Sequence, residues 1–162
     1  MGIQSLRTDD CVDEVIDKYS NMVYRLALVQ MKNKQDAEDV FQDVFIRYIS
    51  KPRTFESEEH RKAWLIKVTI NRSRSLWAAW SRKTEPLDDS FVAETQIEDD
   101  LSEYLAMLPK KYRPVIHLFY YEELSIKQIS EILDAKESTV RTWLTRARSI
   151  LGNKLKGGFN NG

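Results

Sequence analysis

Thr139, Arg141, Thr142, Thr145, Arg146 and Arg148 place three guanidinium groups and three hydroxyls in one short stretch. On a helix they fall away from Val140, Leu144 and Ala147, which repeat at the spacing of an apolar stripe. Arginine reads guanine bidentately and threonine can touch a thymine methyl, so this side suits a DNA major groove. The plain alternative is a solvated polar helix side. A second group is cationic. From His60 to Lys83 the chain carries Arg61, Lys62, Lys67, Arg72, Arg74, Arg82 and Lys83 with no acidic residue, a local charge of +7 that would attract a phosphate backbone. Trp77 and Trp80 in the same run offer surfaces on which unpaired bases stack. Aromatic residues at helical spacing usually fill a core, and that is the reading adopted for both rings. A third group is acidic: Asp36, Asp39 and Asp43 share one helix side, with Gln42 beside them. No further Asp, Glu or His set is evident to converge with them as a two-metal site requires. A solvated face and a docking surface for a basic partner both remain open.

Helices must position these groups. All five glycines lie at 2, 152, 157, 158 and 162, so Ile3 to Leu151 has none. Phosphate-binding loops, dinucleotide fingerprints and tight hairpins depend on glycine, which argues against nucleotide folds and hairpin-rich folds. Val12, Val15, Ile16, Tyr19, Val23, Leu26 and Val29 mark a first helix. Asp36 is the expected cap of a second, whose stripe is Ala37, Val40, Phe41, Val44, Phe45, Tyr48 and Ile49. After the polar loop KPRTFESEE, a third helix is expected from about His60 to Trp80, with Trp64, Leu65, Val68 and Leu76 in the core. Net charge is zero over 162 residues but unevenly spread: +1 in 1–80, −6 in 81–103 and +5 in 104–162. The predicted organisation is all-α: a helical domain at 1–83, a flexible acidic linker at 84–103, a second helical domain at 104–156 and a disordered tail at 157–162.

In the second domain Pro109 suits a helix start, and Pro114 is tolerable only in a first turn. Ser125 and Gln128 form a capping box. A short helix, Ser125 to Leu133, then breaks at Asp134-Ala135-Lys136 before a longer one from about Glu137 to Leu151. This is the helix-turn-helix pattern, with Ile129, Ile132, Leu133, Val140, Leu144 and Ala147 as its packing positions. No nucleophile with a base, glycine loop or metal set is present, so neither catalysis nor a cofactor is expected. The lone Cys11 and the lack of a long apolar run point to a reducing cytoplasm and no membrane insertion.

DAEDVFQDVF (Asp36 to Phe45), RKAWLIKVTINR (Arg61 to Arg72), LPKKYR, ELSIKQISEIL and STVRTWLTRAR stand in an order that resembles the extracytoplasmic-function (ECF) sigma factors. These are the two-domain sigma subunits of bacterial RNA polymerase. The resemblance implies that Asp36, Asp39, Gln42 and Asp43 dock on the clamp helices of the β′ subunit. It implies that the loop Lys51 to Glu59, with Arg53, and the basic helix, with Lys67, Asn71, Arg72 and Arg74, open and capture the −10 element. The recognition helix would read the −35 element, its domain meeting the β flap, and the linker would thread towards the polymerase active site. An anti-sigma factor is a further implied partner. Glu123, Asp134 and Ser138 stand where many members have glycine, Trp143 where many have a basic residue, and Ala78 and Ala79 replace residues often basic. The reading from another class is an autonomous helix-turn-helix regulator with a dimerising or ligand-sensing bundle.

Overall fold

The computed structural model describes residues 6–7, 12–31, 33–51, 53–83, 105 and 107–160, with side chains except at 6, 7, 83 and 154–160. The chain divides into two compact units, Met1–Leu87 and Asp88–Gly162. The expected acidic linker, 84–103, lies outside the described residues.

In the first unit, α1 (Val12–Met31), α2 (Lys34–Ser50) and α3 (Glu58–Lys83) each pack on the other two. Val15, Tyr19, Val23, Leu26 and Val29 on α1 are buried, as the periodicity predicts, and Val15, Tyr19 and Val23 share a core with Ala37, Val40, Val44, Phe45 and Tyr48 of α2 and Leu65 of α3. Burying each large apolar side chain stabilises by about 1.5–3 kcal/mol, so these stripes set the helix rotations. Ile49 departs from the expected stripe: it is 55% exposed. It follows Tyr48 directly and is therefore turned about 100° away from the buried face.

Two helix starts also differ from expectation. The cap of α2 is Asn33, whose Oδ1 accepts the Asp36 amide at 2.8 Å while its Nδ2 donates to the Asp36 carboxylate. A cap needs extended backbone, which Asn33 has (φ −143°, ψ 153°), whereas Asp36 lies in the first turn. Helix α3 begins at Glu58 because Ser57 Oγ accepts the His60 amide at 3.1 Å, and Glu58 and Glu59 suit the positive helix end. Among the described residues the strand pairing is one antiparallel pair of two-residue strands, β1 (Leu6–Arg7) with β2 (Thr54–Phe55). The fold is otherwise helical.

The second unit contains α4 (Arg113–Ile116), which continues into a π-helical turn at His117–Tyr121, then α5 (Ile126–Leu133) and α6 (Glu137–Asn160). Pro114 sits in the first turn of α4, where a missing amide costs nothing. The capping box forms: Ser125 Oγ accepts the Gln128 amide at 3.1 Å and Gln128 Oε1 the Ser125 amide at 2.9 Å. Glu123 (φ 55°) and Asp134 (φ 53°), two positions where glycine is usual in the resembled family, both adopt the left-handed conformation. That costs a non-glycine residue roughly 1 kcal/mol, less for Asp than for Glu. The turn at Asp134 then sets α5 against α6, and all six expected packing positions are buried. Helix α6 continues past Leu151 and through Gly157 and Gly158, where a frayed tail was expected. Extending an existing helix needs no new nucleus, so the modest glycine cost does not stop it.

Candidate functional site

On α6, Arg141, Thr142, Thr145, Arg146 and Arg148 are exposed and Thr139 is half-buried. Buried Val140, Leu144 and Ala147 hold the helix on the unit, so its remaining sides face outward. Each arginine is already engaged. Arg141 pairs with Glu137 at 3.8 Å, one turn back. The Arg146 guanidinium, hydrogen-bonded at the Tyr112 hydroxyl and helped by Lys111, holds that phenol below its usual pKa. Arg148 donates from Nε to the Tyr120 hydroxyl and lies over the rings of Phe119 and Tyr120, at 5.5 and 5.4 Å from their centroids. Thr142 and Thr145 donate to the carbonyls of Ser138 and Arg141, each at 3.0 Å, leaving their oxygen lone pairs as acceptors. The tyrosine partners carried no sequence signal, since each precedes its arginine by about 30 residues.

The acidic residues of α2 are not equivalent. Asp36 is 9% exposed and tied to Asn33, and burial raises its pKa against the lowering effect of that hydrogen bond. Asp39 and Gln42 are exposed. Asp43 forms ion pairs with Arg72 of α3 and, at 3.7 Å, with Arg47. Asp39, Val40, Gln42, Asp43 and Ile46 of α2 with Arg72 and Leu76 of α3 line one open groove. Ile46, 62% exposed, extends this surface, as Ile49 does further along α2. Sequence reasoning missed Ile46. Its signal was an apolar residue three positions after Asp43, on the polar side of the helix.

The basic set of α3 also divides. Lys67, Asn71 and Arg74 are exposed and lie on one side, at i, i+4 and i+7. Arg53, half-buried, stacks 4.5 Å from the Trp64 ring centroid. Arg72 turns instead to the α2 groove. Arg61, counted in the cationic run, is 4% exposed: it donates to Glu58 at 2.7 Å and lies over Phe55. Glu58 accepts the Tyr19 hydroxyl at 2.6 Å, and that bond, with Arg61 and Lys18 adding, holds its carboxyl below the usual range. Trp77 packs on the core and donates from Nε1 to the Gln30 carbonyl at 2.9 Å; Trp80 meets it edge-on at 5.8 Å. No described helix is long and apolar enough to cross a membrane.

The first unit thus carries an acidic and apolar groove and the second an arginine-bearing helix-turn-helix, a pattern shared with DNA-binding proteins. Residues 15–83 match the Sigma-70 region 2 family and residues 98–151 the Sigma-70 region 4 family. The chain is 31% identical to the ECF RNA polymerase sigma factor SigM of Bacillus subtilis (strain 168), covering 93% of this chain and 96% of the relative. Identity to SigW of the same organism is 27%, covering 91% and 90%. Among solved structures, the sigma factor RpoE, co-crystallised with the anti-sigma factor NepR from Bartonella quintana, shares the fold. Its TM-score is 0.72 at 21% identity, over 90% of this chain and 96% of that one. The chain belongs to the extracytoplasmic-function sigma factors of the sigma-70 family, and is an alternative sigma factor that directs RNA polymerase to promoters.

Proposed function

We propose that the two units divide promoter recognition and opening between them. The unit formed by 1–83 docks on core polymerase through the α2 groove: Asp39 and Gln42 meet polar and basic residues of the β′ clamp helices, Asp43 holds Arg72 at the groove so that the pair shapes the docking surface, Ile46 and Leu76 meet apolar residues, and Asp36 supports the helix end. Its outer α3 side, Lys67, Asn71 and Arg74 with the Arg53–Trp64 stack, captures the unpaired −10 strand. Arg72 stays with the groove. In the second unit, 104–156, α6 enters the −35 major groove, with the β flap as the polymerase contact. The observation that carries this reading is the separation of an acidic and apolar groove from two sets of exposed cations on surfaces of their own. Tethered units can each bind weakly and still bind well together.

The factor acts without catalysis of its own, in the cytoplasm where the polymerase works. The anti-sigma partner seen with RpoE makes a regulatory protein of that kind the expected inhibitor. Run-off transcription with purified bacterial core polymerase on a genomic fragment library tests the reading. Discrete transcripts that require this protein are expected, and their alignment gives the two elements. Core binding without any transcript from the full library would contradict promoter recognition.

A further inference from the structure

Arg148 and Arg146 of α6 both have uncharged described partners, and of the two Arg148 is the one that also lies over aromatic rings. Arg141 faces Glu137, and Arg72 in the other unit faces Asp43, so both of those charges are cancelled locally. Arg148 instead sits on two rings and one phenol hydroxyl. Such a seat restrains the side chain without neutralising it. The guanidinium carries five N–H donors in a planar fork, and the seat engages Nε, leaving the η nitrogens at an exposed position. A fixed, fully charged fork is suited to phosphate oxygens, which it can bind bidentately.

The backbone that supplies the seat is unusual. The turn His117–Tyr121 is π-helical, a wide geometry often found at functional sites. His117 and Leu118 are buried and anchor it, while Phe119 is half-buried and Tyr120 is 49% exposed. Glu123, in the left-handed conformation, ends the segment immediately afterwards. The seat and the arginine lie 28 residues apart in sequence. Two locally costly features thus set the backbone of the segment that meets Arg148.

We propose that Tyr120, with Phe119, is a positioning residue for promoter binding, holding Arg148 so that it grips a DNA phosphate rather than a base. The inference rests on the reading that α6 enters the upstream duplex. Tyr120 acts through Arg148 and need not touch DNA. The contact carries no sequence information; it fixes the register of α6 so that its neighbours meet base edges.

The test uses holoenzyme assembled from the full chain and core polymerase. The probes are a promoter fragment recovered by run-off transcription and the same fragment with its upstream element scrambled. Arg148→Ala lowers affinity about fivefold on both fragments and reduces the salt slope by about one phosphate contact. Tyr120→Phe keeps the ring but loses the hydroxyl, and lowers affinity about threefold on both. In the Arg148→Ala background, Tyr120→Phe changes nothing further, which a merely structural role would not produce. Full multiplication of the two losses overturns the proposal, as does a silent Tyr120→Phe beside an effective Arg148→Ala. A loss confined to the intact upstream element makes Arg148 a base reader and overturns it as well. If Arg141→Ala and Arg146→Ala are also silent, the placement of α6 in the duplex fails with it.

Discussion

Arg72 of the first unit and Arg148 of the second are both helix-borne arginines held by a partner distant in sequence, and their partners are opposite in kind. Arg72 pairs with the Asp43 carboxylate at the edge of the α2 groove. Arg148 rests on Phe119 and Tyr120. A partly exposed ion pair contributes little to stability, yet it cancels the field that a phosphate would feel. An aromatic seat restrains the cation and leaves that field intact. What holds an arginine therefore says more about its role than whether it lies in a basic run. Arg61 is the extreme case: buried against Glu58 and Phe55, it belongs to the fold.

Breaking Arg61 gives the largest expected effect. Arg61→Ala removes one partner of a pair whose carboxylate is still half in water, so the loss is on the order of 2 kcal/mol, below the range for fully buried pairs. Thermal unfolding should show it, with promoter affinity per folded holoenzyme unchanged. A variant as stable as the parent but weaker on DNA would move Arg61 into the interface. Next comes Arg146→Ala, expected to weaken promoter binding by about 1.5 kcal/mol, only on fragments whose upstream element is intact, because a bidentate base contact is sequence-specific. Equal loss on scrambled fragments would make Arg146 a second phosphate contact.

The smallest effect is in pH. Tyr19 first, then Arg61 and Lys18, hold the Glu58 carboxyl low in the folded state. Its stabilising contribution is therefore present above the ordinary glutamate range and lost as pH falls through the folded value. Asp36, raised chiefly by burial, has the opposite sign, its contribution being lost as pH rises. The melting temperature of the first unit should fall with acid less steeply in Glu58→Gln than in the parent; parallel curves would show that Glu58 is not the responsible group.

Helix stripes, the Ser125–Gln128 box and the packing of α5 on α6 were legible because each depends on residues a few positions apart. Of the three positions where many members of the family have glycine, Glu123 and Asp134 are left-handed, whereas Ser138 lies in the first turn of α6. The arginine partners were not legible. Asp43 and Arg72 meet only after the core has set the rotation of α2 against α3, and Tyr120 reaches Arg148 only through a π-helical turn that no residue pattern announced. The Asn33 cap was missed for a smaller reason: Asn33 and Asp36 can both cap, and the choice rests on which adopts extended backbone. Ile46 and Ile49 show the limit of periodicity, which marks a residue as apolar without saying whether a neighbouring helix covers it.

The most direct test of the distinction between cancelled and uncancelled cations is the salt dependence of promoter binding by holoenzyme, at saturating core polymerase, for Arg72→Ala and Arg148→Ala. The slope of log affinity against log salt should fall by about one for Arg148→Ala and stay unchanged for Arg72→Ala. A reduced slope for Arg72→Ala with none for Arg148→Ala would mean that a carboxylate-bound arginine reaches the phosphate while the ring-seated one does not, contradicting the assignment of both.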